Sequence, residues 1–159
     1  MMLSLSQSLL NDASMGHLLQ PREVSRFTPE DIRVAISELV AQDKMDLADA
    51  WVEAGLSLYP ESEDILAIAA LLAEVHGDWS SADSLLDKIL RLQGEKAPAT
   101  VWHHKVRVLR CLCDPAGALK ASQMGLRMHP ADPSLMSEQH ILQDLLDATQ
   151  IFESSHTQQ

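Results

Sequence analysis

Apolar positions along this chain recur three and four residues apart, and short polar or proline-containing breaks cut the pattern into helix-length pieces. The clearest opening is Phe27-Thr28-Pro29-Glu30-Asp31-Ile32. Thr28 is placed to cap the free amides, Pro29 suits the first helical position, Asp31 faces the same amides, and Phe27 can staple against Ile32. Ala35, Ile36, Leu39 and Val40 continue that helix, Gln42-Asp43-Lys44 interrupts it, and Leu47, Ala48, Trp51, Val52 and Leu56 make a second before Tyr59-Pro60. Ser62 then caps the stretch Glu63 to Leu92, which reads as an apolar helix, a turn at Gly77-Asp78-Trp79 and an amphipathic helix ending at Gln93-Gly94. Its first part is apolar without a break from Ile65 to Ala73. That run is too short to cross a bilayer and too apolar all round for a surface helix, so it is expected between two neighbours. After the loop Glu95 to Pro98, the pattern predicts a third pair: Val101, Trp102, Val106, Leu109 and Leu112, then Asp114-Pro115, then Ala118, Met124 and Leu126 up to Pro130. Asp132-Pro133 caps a final helix with Leu135, Met136, Ile141, Leu142, Leu145 and Leu146 on its apolar side.

Laid over one another, the pairs repeat. An apolar anchor precedes a small residue by 16 positions in each: Ile32 and Ala48, Leu66 and Ala82, Trp102 and Ala118. The alanines are 34 and 36 residues apart, and Pro60 and Pro130 each follow one of them by 12. From about Pro29 to Asp132 the chain resembles the tetratricopeptide repeat (TPR) family, whose unit is a 34-residue helix-turn-helix. Gly77-Asp78-Trp79 before Ala82 looks like that family's inter-helix turn. Ile36, Ala70 and Val106 stand where the family usually places glycine, and Ser122 where it usually places a larger apolar residue. The resemblance implies an all-α fold, an α-α superhelix of about three helical hairpins with a C-terminal capping helix. Its parts are an N-terminal arm over 1–26, repeats over 29–62, 63–98 and 99–132, a capping helix over 133–152 and a loose tail over 153–159. Within the arm, one weak helix is expected from about Leu3 to Leu19, with a break at Gln20-Pro21.

Composition agrees with helix. Leu and Ala dominate, aromatics are only 4% and Val is scarce. At 159 residues a chain buries roughly 70% of its unfolded surface without help from a disulfide or metal. The net charge of -11 argues against general affinity for nucleic acid or anionic membrane, both of which need a positive field. Cys111 and Cys113, one residue apart, build no disulfide framework and are expected to be ordinary buried thiols of a cytoplasmic chain. The start lacks the basic region of a secretory signal.

The candidate chemistry is recognition. In a stack of this kind the first helices of successive repeats line a concave groove, and offsets from the anchors place there Arg33, Ser37 and Val40, then Ala67, Leu71 and Glu74, then His103, Arg107 and Arg110. The groove has an apolar middle and a basic end. Between Ala99 and Met128, Lys105, Arg107, Arg110, Lys120 and Arg127 face a single acid, Asp114. That local excess suits an acidic or carboxylate-bearing partner, with the alternative of a solvated helix face. The carboxylate clamp of TPR co-chaperones is not expected: Arg33 resembles one member, but Ser37, Ile68, Thr100 and His104 stand where the others should be. His103-His104 and Cys111-x-Cys113 raise zinc, yet only His104 and Cys111 share a helix face, so no metal and no cofactor is expected. Trp51, Trp79 and Trp102 are expected to pack rather than to stack on bases. No nucleophile motif, phosphate loop or catalytic carboxylate pair is present, so the chain is not read as an enzyme. The layout of arm, three repeats and terminal helix resembles the cytoplasmic TPR chaperones of bacterial type III secretion. That likeness implies a captured segment of a partner protein, no membrane insertion and a homodimer formed through the arm. The alternative is a structural subunit permanently assembled into a larger complex.

Overall fold

The computed structural model describes residues 25–156, with side chains to residue 152. The helix expected over Leu3 to Leu19, and with it any dimer contact of the arm, lies outside the described residues, as do residues 157–159. Among the described residues the chain is all-α, with no strand: α1 (Pro29–Ala41), α2 (Met45–Leu58), α3 (Glu63–Val75), α4 (Trp79–Gln93), a 3₁₀ turn (Gly94–Lys96), α5 (Ala99–Cys111), α6 (Pro115–Met128) and α7 (Pro133–His156). None of these helices is long and apolar enough to cross a membrane. The chain divides into two compact units, the first ending at Val75 and the second beginning at His76. The repeat expected over 63–98 is therefore shared between them, with α3 in the first and α4 in the second.

In the first unit, α1 starts with a capping box. Asp31 N–H donates to Thr28 Oγ1 at 3.2 Å, and Thr28 N–H donates back to Asp31 Oδ2 at 2.9 Å. This satisfies two amides that the first turn leaves open. The α1–α2 turn passes through Asp43 in the left-handed region (φ 58). The core joins Ile32, Ile36 and Leu39 of α1, Ala48 and Trp51 of α2, and Ile65 and Leu72 of α3. Phe27 packs on this cluster, its ring edge-on to Trp51 at 5.7 Å, and its carbonyl accepts from Tyr59 Oη at 2.8 Å. The apolar helix α3 packs on both α1 and α2.

In the second unit, Asp78 caps α4 by accepting from Ser81 N–H at 3.1 Å, and Asp114 caps α6 by accepting from Gly117 N–H at 2.8 Å. Trp102, Val106 and Leu109 of α5, Ala118 and Ala121 of α6, and Leu135 and Leu142 of α7 form the core. Ser122 is wholly buried and donates to Leu119 O at 2.7 Å, so the polar residue at this repeat position carries its own acceptor. The last helix continues past the boundary expected at 152 to His156.

The two units follow one backbone plan with residue numbers offset by 70. Asp43 and Cys113 take the same left-handed turn (φ 58 and 56), and Gly77 between them shares it (φ 72). Tyr59 N–H donates to Gly55 O, and His129 N–H to Gly125 O, both at 2.8 Å. Tyr59 reaches back to Phe27 O, and His129 Nε2 to Ala97 O at 2.7 Å. Gly55 lies against Ile32 and Ile65, while Gly125 lies against Trp102 and Leu135. All three expected anchor and alanine pairs are buried, none more than 6% exposed.

Candidate functional site

The second unit holds an open cleft of about 940 Å³ between α5 and the first turns of α7. On α5, Thr100, His103, His104, Arg107, Arg110 and Cys111 line it. Positions 103, 107, 110 and 111 fall within one side of a helix because residues three and four apart are neighbours. Across from them stand Pro133, Ser134, Ser137 and Glu138. One wall is thus cationic and imidazole-rich, the other hydroxylic with one carboxylate.

Two side-chain contacts tie the walls together. His103 Nε2 lies 2.9 Å from Asp132 Oδ1, and the same oxygen accepts from Leu135 N–H at 2.8 Å, capping α7. The Leu135 amide first, and then His103, hold the Asp132 carboxyl below the usual aspartate range. Farther along, Arg110 Nη1 donates to both Glu138 oxygens, at 2.9 Å each. A third cation, Lys105, does not belong to this surface. It is 8% exposed and lies 2.6 Å from both Asp83 and Asp87 of α4. The local basic excess read from the sequence is therefore smaller at the surface, because Lys105 is neutralised beside α4.

Of the residues expected in the groove, His103, Arg107 and Arg110 come together in this cleft. The others belong to the first unit. Arg33 is half-buried, 3.5 Å from Asp64 at the start of α3. Ser37 is exposed and donates to Arg33 O, and Val40 packs on the core. Ala67 and Leu71 are exposed on α3, whereas Glu74 is buried. Cys111 and Cys113 are exposed rather than buried, because Cys111 faces the cleft and Cys113 occupies the left-handed turn. His104 and Cys111 both line the cleft, and His103 lines it beside them, so the face that holds Cys111 is wider than the one histidine expected. No group of three or more metal-ligating residues occurs among the described residues.

Sequence reasoning missed the α7 wall. The signal was present: with the offset of 70, α7 copies α3, so Ser134 and Ser137 stand where Asp64 and Ala67 do, one first helix farther along. Reading α7 only as a covering helix hid that side. No known family model matches the chain, and no curated protein matches its sequence.

Proposed function

We propose that this chain is a non-enzymatic TPR-class scaffold that captures a segment of a partner protein. Within that class we propose a cytoplasmic chaperone of the type III secretion kind. The observation that carries the reading is the α5–α7 cleft, an open concave site with His103, Arg107 and Arg110 on one wall. Such a surface suits peptide recognition, in which charged groups set register and neighbouring apolar groups supply affinity. The backbone repeat at an offset of 70 residues supports the TPR assignment, since stacked hairpins offer their first helices as binding walls.

The second reading, a subunit fixed in a larger complex, is favoured by Met136, Ile141 and Leu145 on α7, each at least 50% exposed. Exposed apolar residues of this size on one helix suit a permanent interface.

The test is affinity co-purification of the tagged protein from its native cells, with and without Arg107→Glu and Arg110→Glu. The chaperone reading expects one dominant retained protein, lost on charge reversal while the far-ultraviolet circular dichroism is unchanged. Retention unaffected by the reversal would remove the cleft from the mechanism. A fixed stoichiometric set of proteins would favour the subunit.

A further inference from the structure

We propose that the cleft takes an acidic, amphipathic segment of a partner protein, and that Glu138 is its built-in competitor, holding Arg110 until a partner carboxylate replaces it. The inference rests on the reading of the cleft as the partner-binding site. Glu138 is the one acid among the residues lining that cleft, and it lies on the cation farthest along α5.

The two ties across the cleft differ in what holds them. Asp132 is committed: it accepts from the Leu135 amide as well as facing His103, and its side chain is 19% exposed. Removing it would uncap α7. Glu138 projects from within the helix and has no capping duty. Both of its oxygens rest on a single guanidinium nitrogen, not on the two-nitrogen fork that gives arginine–carboxylate pairs their strength. The Arg110 and Glu138 side chains are 49% and 30% exposed, a setting in which ion pairs contribute little. An incoming carboxylate can therefore take over Arg110 at small cost.

The sign of the ligand follows from local charge. Residues 76–159 contain ten acids and eight bases, and fields are screened over about 8 Å at physiological ionic strength. The α5 cations therefore decide what the cleft attracts, whatever the charge of the whole chain. Its apolar requirement comes from α7. Ile141 and Leu145, three and seven residues beyond Glu138, continue the same side of the helix and are 50% and 52% exposed. A segment with carboxylates toward α5 and apolar side chains toward Ile141 and Leu145 satisfies both.

Fluorescence anisotropy with a labelled peptide of alternating Glu and Leu, and with its Gln counterpart, tests this on the full chain. The Glu peptide should bind more tightly. Glu138→Gln should tighten it further, by about three- to fivefold, and that gain should vanish in an Arg110→Gln background. Equal binding of the two peptides would overturn the acidic ligand. No gain from Glu138→Gln would overturn the competitor. If charge reversal at Arg107 and Arg110 still releases the natural partner, these failures leave the cleft reading standing; if it does not, both fall. Sedimentation of the chain alone completes the test. Self-association that strengthens with Glu138→Gln would overturn a separate partner in favour of a second copy.

Discussion

The two units share a backbone and differ in what they carry on it. Residues 1–75 hold thirteen acids and four bases, a balance of -9, while residues 76–159 hold ten and eight, a balance of -2. On the first helix of the first unit the outward positions are Arg33 and Ser37; 70 residues later they are His103 and Arg107. The shared set is the buried anchors, alanines and glycines together with the exposed left-handed turns, because those positions determine how closely helices approach and where the chain reverses. Outward positions are free of that requirement and have diverged, giving the second unit a cationic wall. The sharpest difference inside the packing is Lys105, which stands where Ala35 and Ala69 are buried in α1 and α3.

The largest test of that contrast is Lys105→Ala, which installs the residue found at the equivalent positions. Because Asp83 and Asp87 would keep their charges beside an apolar face, we expect a loss of about 2–3 kcal/mol in urea unfolding, discounted for the partial exposure of both acids. Adding Asp83→Ala and Asp87→Ala should recover most of it. A loss within experimental error for Lys105→Ala alone would show that the acids find water and that the difference between units is cosmetic.

Next in size are the paired glycines. A Cβ at Gly125 would lie 2.9 Å from Leu135 Cδ1 and 3.0 Å from Trp102 Cβ, whereas at Gly55 its nearest neighbour, Ile65 Cγ2, is 3.2 Å away. Gly125→Ala should destabilise by about 1–3 kcal/mol through overpacking against the larger anchor. Gly55→Ala should be close to neutral, since alanine gains about 1 kcal/mol of helix propensity against a contact that side-chain tips can relieve. Thermal unfolding of both variants compares them directly, and equal effects would mean that anchor size does not matter.

The smallest effect is on acidification. Asp31 in the first unit, and Asp78 and Asp132 in the second, cap helices with carboxyls held below the ordinary value of 3.8. The causes are the hydrogen bond with the Thr28 hydroxyl for Asp31, the hydrogen bonds from Ser81 for Asp78, and the Leu135 amide for Asp132. A lowered folded-state pKa means the contribution is fully present above 3.8 and fades as pH falls through the folded value. The first-turn amides of α1, α4 and α7 should therefore lose hydrogen-exchange protection in that window, whereas those of α5, whose start has no side-chain cap, should not. Asp132→Asn should flatten the response of α7 while leaving α4 unchanged.

Much of this plan was legible in the sequence. Thr28-Pro29-Glu30-Asp31, the anchors Ile32, Leu66 and Trp102, and the turn at Gly77 act through neighbours in the chain or through a fixed period. What was not legible depends on neighbours from other elements. Lys105 reads as a surface cation until Asp83 and Asp87 are brought beside it. Glu138 reads as one acid on a terminal helix until Arg110 lies opposite. The division at Val75 and His76 follows from which helices cluster, which a local period does not encode.

Lys105 has a further consequence, for the route by which the chain folds. Hairpins that share one backbone plan invite mispairing, because an apolar first helix can dock against the wrong neighbour and trap the chain. A helix that offers alanine at this position, as α1 does with Ala35 and α3 with Ala69, supplies no cation to Asp83 and Asp87. We expect the buried lysine to favour pairing of α4 with α5 over any pairing that offers an alanine at that position.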